Sequence, residues 1–137
     1  MRRGRMHLAV GGPIDPGLAW ERYARPERWS SWARHIDRVD VDGDEPRIRP
    51  GLTGHVASGP LRARFRVDAV DEAARTWTWT VRVGPLRLRL AHEVVAATQI
   101  GTLQTGTLTR LVIAGPLPVT MAYAPIAAFA LQRLVRR

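Results

Sequence analysis

Between residues 61 and 96 the chain alternates apolar and polar side chains in three successive segments, and this pattern limits the fold more than any other feature. Leu61, Ala63, Phe65 and Val67 alternate with Arg62, Arg64, Arg66 and Asp68. Trp77, Trp79, Val81 and Val83 alternate with Thr76, Thr78, Thr80 and Arg82. Leu86, Leu88, Leu90, His92, Val94 and Ala96 alternate with Arg87, Arg89, Ala91, Glu93 and Val95. A period of two sends successive side chains to opposite faces, so these segments predict an antiparallel sheet with one buried face. Asp71-Glu72 and Gly84-Pro85 supply the hairpin connections. A last strand, rich in threonine and β-branched residues, is predicted from about Leu103 to Ala114.

Upstream, Met6 to Val10 reads as a first strand closed by Gly11-Gly12-Pro13. Asp15 followed by Pro16 is an N-cap with proline at the first helical position, and the helix it opens places Trp20 and Tyr23 on one side. Pro26 opens a second short helix with Glu27 near its positive end. A spacing of three puts Trp29 and Trp32 on one side of that turn. Ile36 to Val41 and Thr53 to Ser58 read as two further strands, separated by the Asp42-Gly43-Asp44 turn. Downstream, Ala122 to Val135 is rich in alanine and leucine, with Tyr123, Ala127, Ala130 and Leu134 at helical spacing. Pro125 leaves two readings open: it starts this helix, or it interrupts one already begun near Pro118.

The 137 residues fit one domain with a core of its own, and 45% hydrophobic residues with five tryptophans argue against disorder. Without cysteine the chain has no disulfide, thiolate nucleophile or thiolate-ligated metal. His7, His35, His55 and His92 lack metal-ligand spacing, and the acidic stretch from Asp37 to Glu45 lacks the pattern of a calcium loop. No metal and no cofactor are expected. No stretch is long enough to span a bilayer, and the apolar run after the basic N-terminus is too short for a signal peptide, so a cytoplasmic location is the default expectation. The net charge of +9 points formally to nucleic acid or anionic membrane. All 21 basic residues are arginine, however, and many occupy the polar strand positions, as on a solvated face. The arginines at either terminus are the better candidates for an anion patch.

The element order is strand, two short helices, six strands and one long C-terminal helix. With Pro13-Ile14-Asp15-Pro16 and Trp20, Pro26-Glu27-Arg28-Trp29-Ser30-Ser31-Trp32, Gly51 and Gly54, the Trp77–Trp79 strand, His92 and Gly115-Pro116, it resembles the START-related helix-grip superfamily. More narrowly it is similar to the polyketide cyclase/dehydrase and lipid-transport (SRPBCC) family. The resemblance spans nearly the whole chain and implies an α+β helix-grip domain over residues 1–137. In it a curved antiparallel sheet of about seven strands wraps the C-terminal helix. It further implies a cavity between sheet and helix that takes lipid-, sterol- or polyketide-like molecules.

His92 is the only polar side chain on the apolar face of its strand. It is a candidate general base or ligand hydrogen-bonding group, with a satisfied core histidine as the even alternative. Trp77 and Trp79 fall on the buried parity, as core or cavity wall. Phe65 and Leu90 share that parity, and Trp29 with Trp32 would wall or cap the cavity end. Tyr123 offers a hydroxyl near the start of the helix. Arg110 shares a face with Leu108, Val112 and Ala114, while Thr107, Thr109, Leu111 and Ile113 share the other. An inward Arg110 would bind a ligand carboxylate; an outward one, the favoured reading, would be solvated. The leading functional expectation is a binder of an apolar small molecule. A cyclase, aromatase or dehydratase using the same cavity comes second, and an arginine-rich adaptor for nucleic acid or anionic membrane third. No specific nucleic acid partner is expected, and a homodimer is left open.

Overall fold

The computed structural model describes residues 2–99 and 104–137. Seven strands form one antiparallel sheet: β1 (Arg3–Gly12), β2 (Arg38–Val41), β3 (Thr53–Ser58), β4 (Leu61–Asp71), β5 (Thr76–Val83), β6 (Leu86–Gln99) and β7 (Gln104–Pro116). Their order across the sheet is β1-β7-β6-β5-β4-β3-β2, so every strand from β2 to β7 pairs with its sequence neighbour and β1 closes against β7. The three alternating segments are strands with the expected faces: Phe65, Val67, Trp77, Trp79, Leu90, His92 and Val94 are buried, and the intervening arginines are exposed. The start of the last strand, placed at Leu103, lies outside the described residues. A register shift between Val67 and Ala69 bends β4.

Strand β1 is longer than Met6 to Val10, running along β7 from Arg3↔Pro116 to Gly12↔Thr107. Gly11 and Gly12 continue the strand instead of ending it. A Cβ at Gly12 would meet the Val135 carbonyl, so the missing side chain lets the end of the last helix close onto β1. That helix, α3, spans Leu117–Leu134, starting at the earlier of the two prolines, with Pro118 in its first turn and Pro125 in its interior. Ala124, Ala127 and Ala130 are buried on its inner side. Their small side chains bring the helix close to the sheet.

Helix α1 (Pro16–Ala24) starts as its sequence predicts, with the Asp15 carboxylate accepting from the N–H groups of Gly17 and Leu18. A 3₁₀ turn over Pro26–Arg28 leads into α2 (Trp29–Trp32). The last carbonyls of a helix lack intrahelical partners, and here each finds another. Glu21 O accepts from Arg25 N at 3.2 Å and Ala24 O from Ile48 N at 2.8 Å. The Trp32 indole donates to Arg22 O at 3.1 Å and the Trp29 indole to Tyr23 O at 2.8 Å. The Arg22 guanidinium in turn donates to the Leu134 and Arg136 carbonyls at 2.7 and 2.8 Å, closing the C-terminal end of α3. The Trp29/Trp32 pair is therefore a clamp on α1, and α1 is a clamp on α3.

Replacing Trp29 by Phe keeps an aromatic ring but leaves a buried carbonyl without its donor, a change that costs about 1–3 kcal/mol. Urea unfolding of Trp29→Phe is expected to show that loss at unchanged m-value; an unshifted midpoint would contradict the clamp.

Candidate functional site

The space between sheet and α3 divides into a closed end and an open end. At the closed end Trp29, Trp77, Trp79, Phe65, Tyr23 and His92 form one aromatic cluster. His92 stacks on Trp77 with ring centroids 4.7 Å apart and planes 12° from parallel, and Tyr23 packs tilted against both rings, 4.8 Å from His92 and 5.8 Å from Trp77. Trp29 packs on Trp77 and Trp79 at 5.6 and 5.0 Å. Large rings so arranged fill their own volume: only about 30 Å³ remains there, bordered by Trp29, Trp32, Trp77 and His92.

At the open end the inward side chains are smaller. Ala63 on β4, Val81 and Val83 on β5, Leu86 and Leu88 on β6 and Val119 on α3 border an apolar cavity of about 340 Å³. Trp79, Leu90, Ile36, His35 and Tyr123 border both spaces and form the wall between them. Ser58 lies on the cavity, but its hydroxyl is committed to the His35 carbonyl at 2.6 Å. The polar pair on the wall is His35 and Tyr123, with His35 Nε2 3.2 Å from the Tyr123 hydroxyl. Burial lowers the His35 pKa and raises that of Tyr123 to about 12, so both stay uncharged near neutral pH.

His92 is at the closed end, away from the cavity. An indole N–H only donates, so the 3.0 Å contact from Trp79 Nε1 makes His92 Nε2 the acceptor and places the imidazole proton on Nδ1. Desolvation holds its pKa down to about 3. The lone pair that a general base would use is already occupied, so the geometry favours the core-histidine alternative, with the ring neutral. Among the described residues its Nδ1 and the Trp77 Nε1 have no hydrogen-bond partner. Arg110 takes the outward of its two readings and does not line the cavity. It lies on the outer face of β7, exposed, with Nη1 3.3 Å from the Glu93 carboxylate. The inner face belongs to Thr107 and Thr109, because α1 and the chain before it supply partners for both hydroxyls: Thr107 donates to Ile14 O and Thr109 meets the Tyr23 hydroxyl, each at 2.7 Å.

Of the other expected residues, Trp79, Leu90 and Tyr123 border the cavity. Trp29, Trp32 and Trp77 plug its closed end, and Phe65 packs beneath Trp29 and Trp79. His35 was not singled out in the sequence, where it is one of four scattered histidines; its only signal is its place between buried Ala33 and Ile36. Val81, Val83, Leu86 and Leu88 carry inward parity in the sequence, but parity alone does not distinguish a cavity wall from core.

His92 gives the fold a pH dependence of known sign. The unfolded histidine binds its proton near its ordinary value of about 6.5, the folded one only near 3. The stability due to this burial is thus complete above the first value and lost as pH falls toward the second. By about pH 5 the loss from this group reaches about 2 kcal/mol. Wild type is expected to lose that much more than His92→Gln between neutral pH and that point in urea unfolding. Parallel profiles would refute the neutral assignment.

The sequence matches the family model described as polyketide cyclase/dehydrase and lipid transport over residues 10–137. No curated protein sequence matches the chain. Among solved structures, Ara h 8.0201 superposes with a TM-score of 0.75 at 14% identity, covering 97% of this chain and 95% of that one. The major latex-like protein 151 of Panax ginseng superposes with a TM-score of 0.74 at 14% identity, covering 96% and 95%. At that identity the two share the fold with this chain.

Proposed function

The chain belongs to the polyketide cyclase/dehydrase and lipid-transport family, which binds hydrophobic ligands, and on that premise we propose that it holds a compact apolar molecule in the open-end cavity. The observation that carries this reading is the contrast between the two ends of one sheet–helix space. The closed end is filled by rings, whereas the open end keeps about 340 Å³ lined by aliphatic side chains. That volume sits near the lower bound of roughly 300–1,000 Å³ for sites that enclose drug-sized ligands, and suits a medium-length acyl chain or a small fused-ring system. Burying such a ligand releases about 25 cal/mol per Å² of apolar surface. The Tyr123 hydroxyl, with His35 behind it, gives one hydrogen bond to a hydroxyl, carbonyl or carboxyl group at the ligand's end.

Trp79 on the cavity wall provides the readout, since its emission responds to an occupant. Titration with medium-chain fatty acids and small fused-ring phenols is expected to give saturable quenching. Ala63→Phe, which places a ring in the cavity, abolishes it. Tyr123→Phe weakens only ligands carrying the polar group, by about fivefold, the worth of one neutral hydrogen bond. Equal binding by wild type and Ala63→Phe would sink the proposal.

A further inference from the structure

We propose that the mouth of this cavity is a docking surface for anionic lipid bilayers, an inference that rests on the ligand-binding reading and names the surface from which the ligand is exchanged. Antiparallel pairing brings particular strand ends together. The pairs Arg3↔Pro116, Ser58↔Leu61 and Val83↔Leu86 place the starts of β1, β4 and β6 and the ends of β3, β5 and β7 at one edge of the sheet, where α3 also begins. Leu61 and Ile126 line the cavity and yet are 55% and 44% exposed, so they mark its mouth. From there the solvent side of α3 continues apolar through Met121, Pro125 and Phe129, all exposed. An exposed apolar run next to a ligand cavity marks an interaction surface.

Charge chooses the partner. The same edge carries Arg3, Arg62, Arg82 and Arg87, with Arg5, Arg64 and Arg89 one pair further in, all exposed. Arg3, Arg5, Arg87 and Arg89, with the paired Arg66 and Asp68, border a groove of about 810 Å³ on the outer sheet face. Among the described residues Arg3, Arg5, Arg62, Arg82, Arg87 and Arg89 have no carboxylate within ion-pair distance. Arg64 and Arg66 are paired with Asp42 and Asp68, and Asp37 is occupied by the Gly59 N–H. Away from this end, Glu21 and Glu72 pair with Arg47, Glu21 with Arg25 and Glu93 with Arg110, while Arg75, Arg136 and Arg137 at the far end have no ion pair among the described residues.

What sets the mouth apart is the coincidence of uncompensated cations with an exposed apolar run. A bilayer surface with anionic headgroups over hydrocarbon matches both features at once. Nucleic acid would use the arginines and leave the apolar run unmet. A second copy would bring two arginine collars face to face.

Cosedimentation with phosphatidylglycerol/phosphatidylcholine vesicles, against phosphatidylcholine alone, tests this. Binding is expected only with the anionic lipid and is expected to weaken with salt. Arg82→Glu/Arg87→Glu should bind at least tenfold more weakly, since each surface arginine contributes about 1 kcal/mol, roughly fivefold. Met121→Asp should also lose vesicle binding, while both variants keep fatty-acid uptake in solution. Three results would overturn the proposal: equal binding to neutral vesicles, duplex DNA binding indifferent to Met121→Asp in place of vesicle binding, or a dimer that buries Met121. Vesicle binding without any fatty-acid uptake would remove the ligand reading and leave the docking surface standing.

Discussion

The bond from the Trp79 indole to the His92 imidazole, inside a stack of rings, fixes the closed end of the molecule. It holds Trp79 against Trp29 and Leu90 and sets the wall behind which the cavity begins. Trp29, in that same stack, caps a carbonyl of α1, and α1 through Arg22 caps α3. One chain of contacts thus runs from the sheet interior to both helices. The open end owes its space to the absence of such rings: Ala63, Val81, Val83 and Val119 are too small to meet across the gap left by α3.

This division gives the two ends different work. The closed end carries stability, because fully buried rings release the most apolar surface per residue. The open end gives up part of that stabilisation to keep a volume that an apolar ligand would fill. A neutral histidine suits the closed end, where a charged one would face the cost of burial without a counter-ion. Two of the ion pairs tie α1 through Arg47 to the β4–β5 hairpin, and Arg25 shares the Glu21 carboxylate.

The sheet was legible because period-two alternation reports which face of a strand is buried, and three segments kept it over several residues each. The two short helices were legible from Asp15-Pro16 and Pro26. The length of β1 was not: Gly4, Gly11 and Gly12 break the alternation, and the close approaches that require Gly4 and Gly12 come from Leu117 and Val135 at the two ends of α3, far along the chain. Nor was the start of α3, since Pro118 and Pro125 each satisfy the rule for a helix's first turn. Arg110 had apolar neighbours on both faces of its strand, so parity could not orient it; the carbonyl and hydroxyl partners of Thr107 and Thr109 did. For the site, parity named the inward residues but not the space they leave. The aromatics fill the interior, whereas the cavity follows the small residues. His35 sits after α2 in a stretch with no periodic signal, and only its approach to Tyr123 gives it a place.

The central claim is that an apolar ligand lies at the open end and stops at the Trp79 wall. Isotope-filtered NMR of methyl-labelled protein with unlabelled dodecanoic acid tests it directly. Intermolecular contacts to the methyls of Val81, Val83, Leu88 and Val119, with none to Leu111 or Leu131, are the predicted result. Contacts to Leu111 and Leu131, on the far side of that wall, or the absence of any contact at saturating ligand, would contradict it.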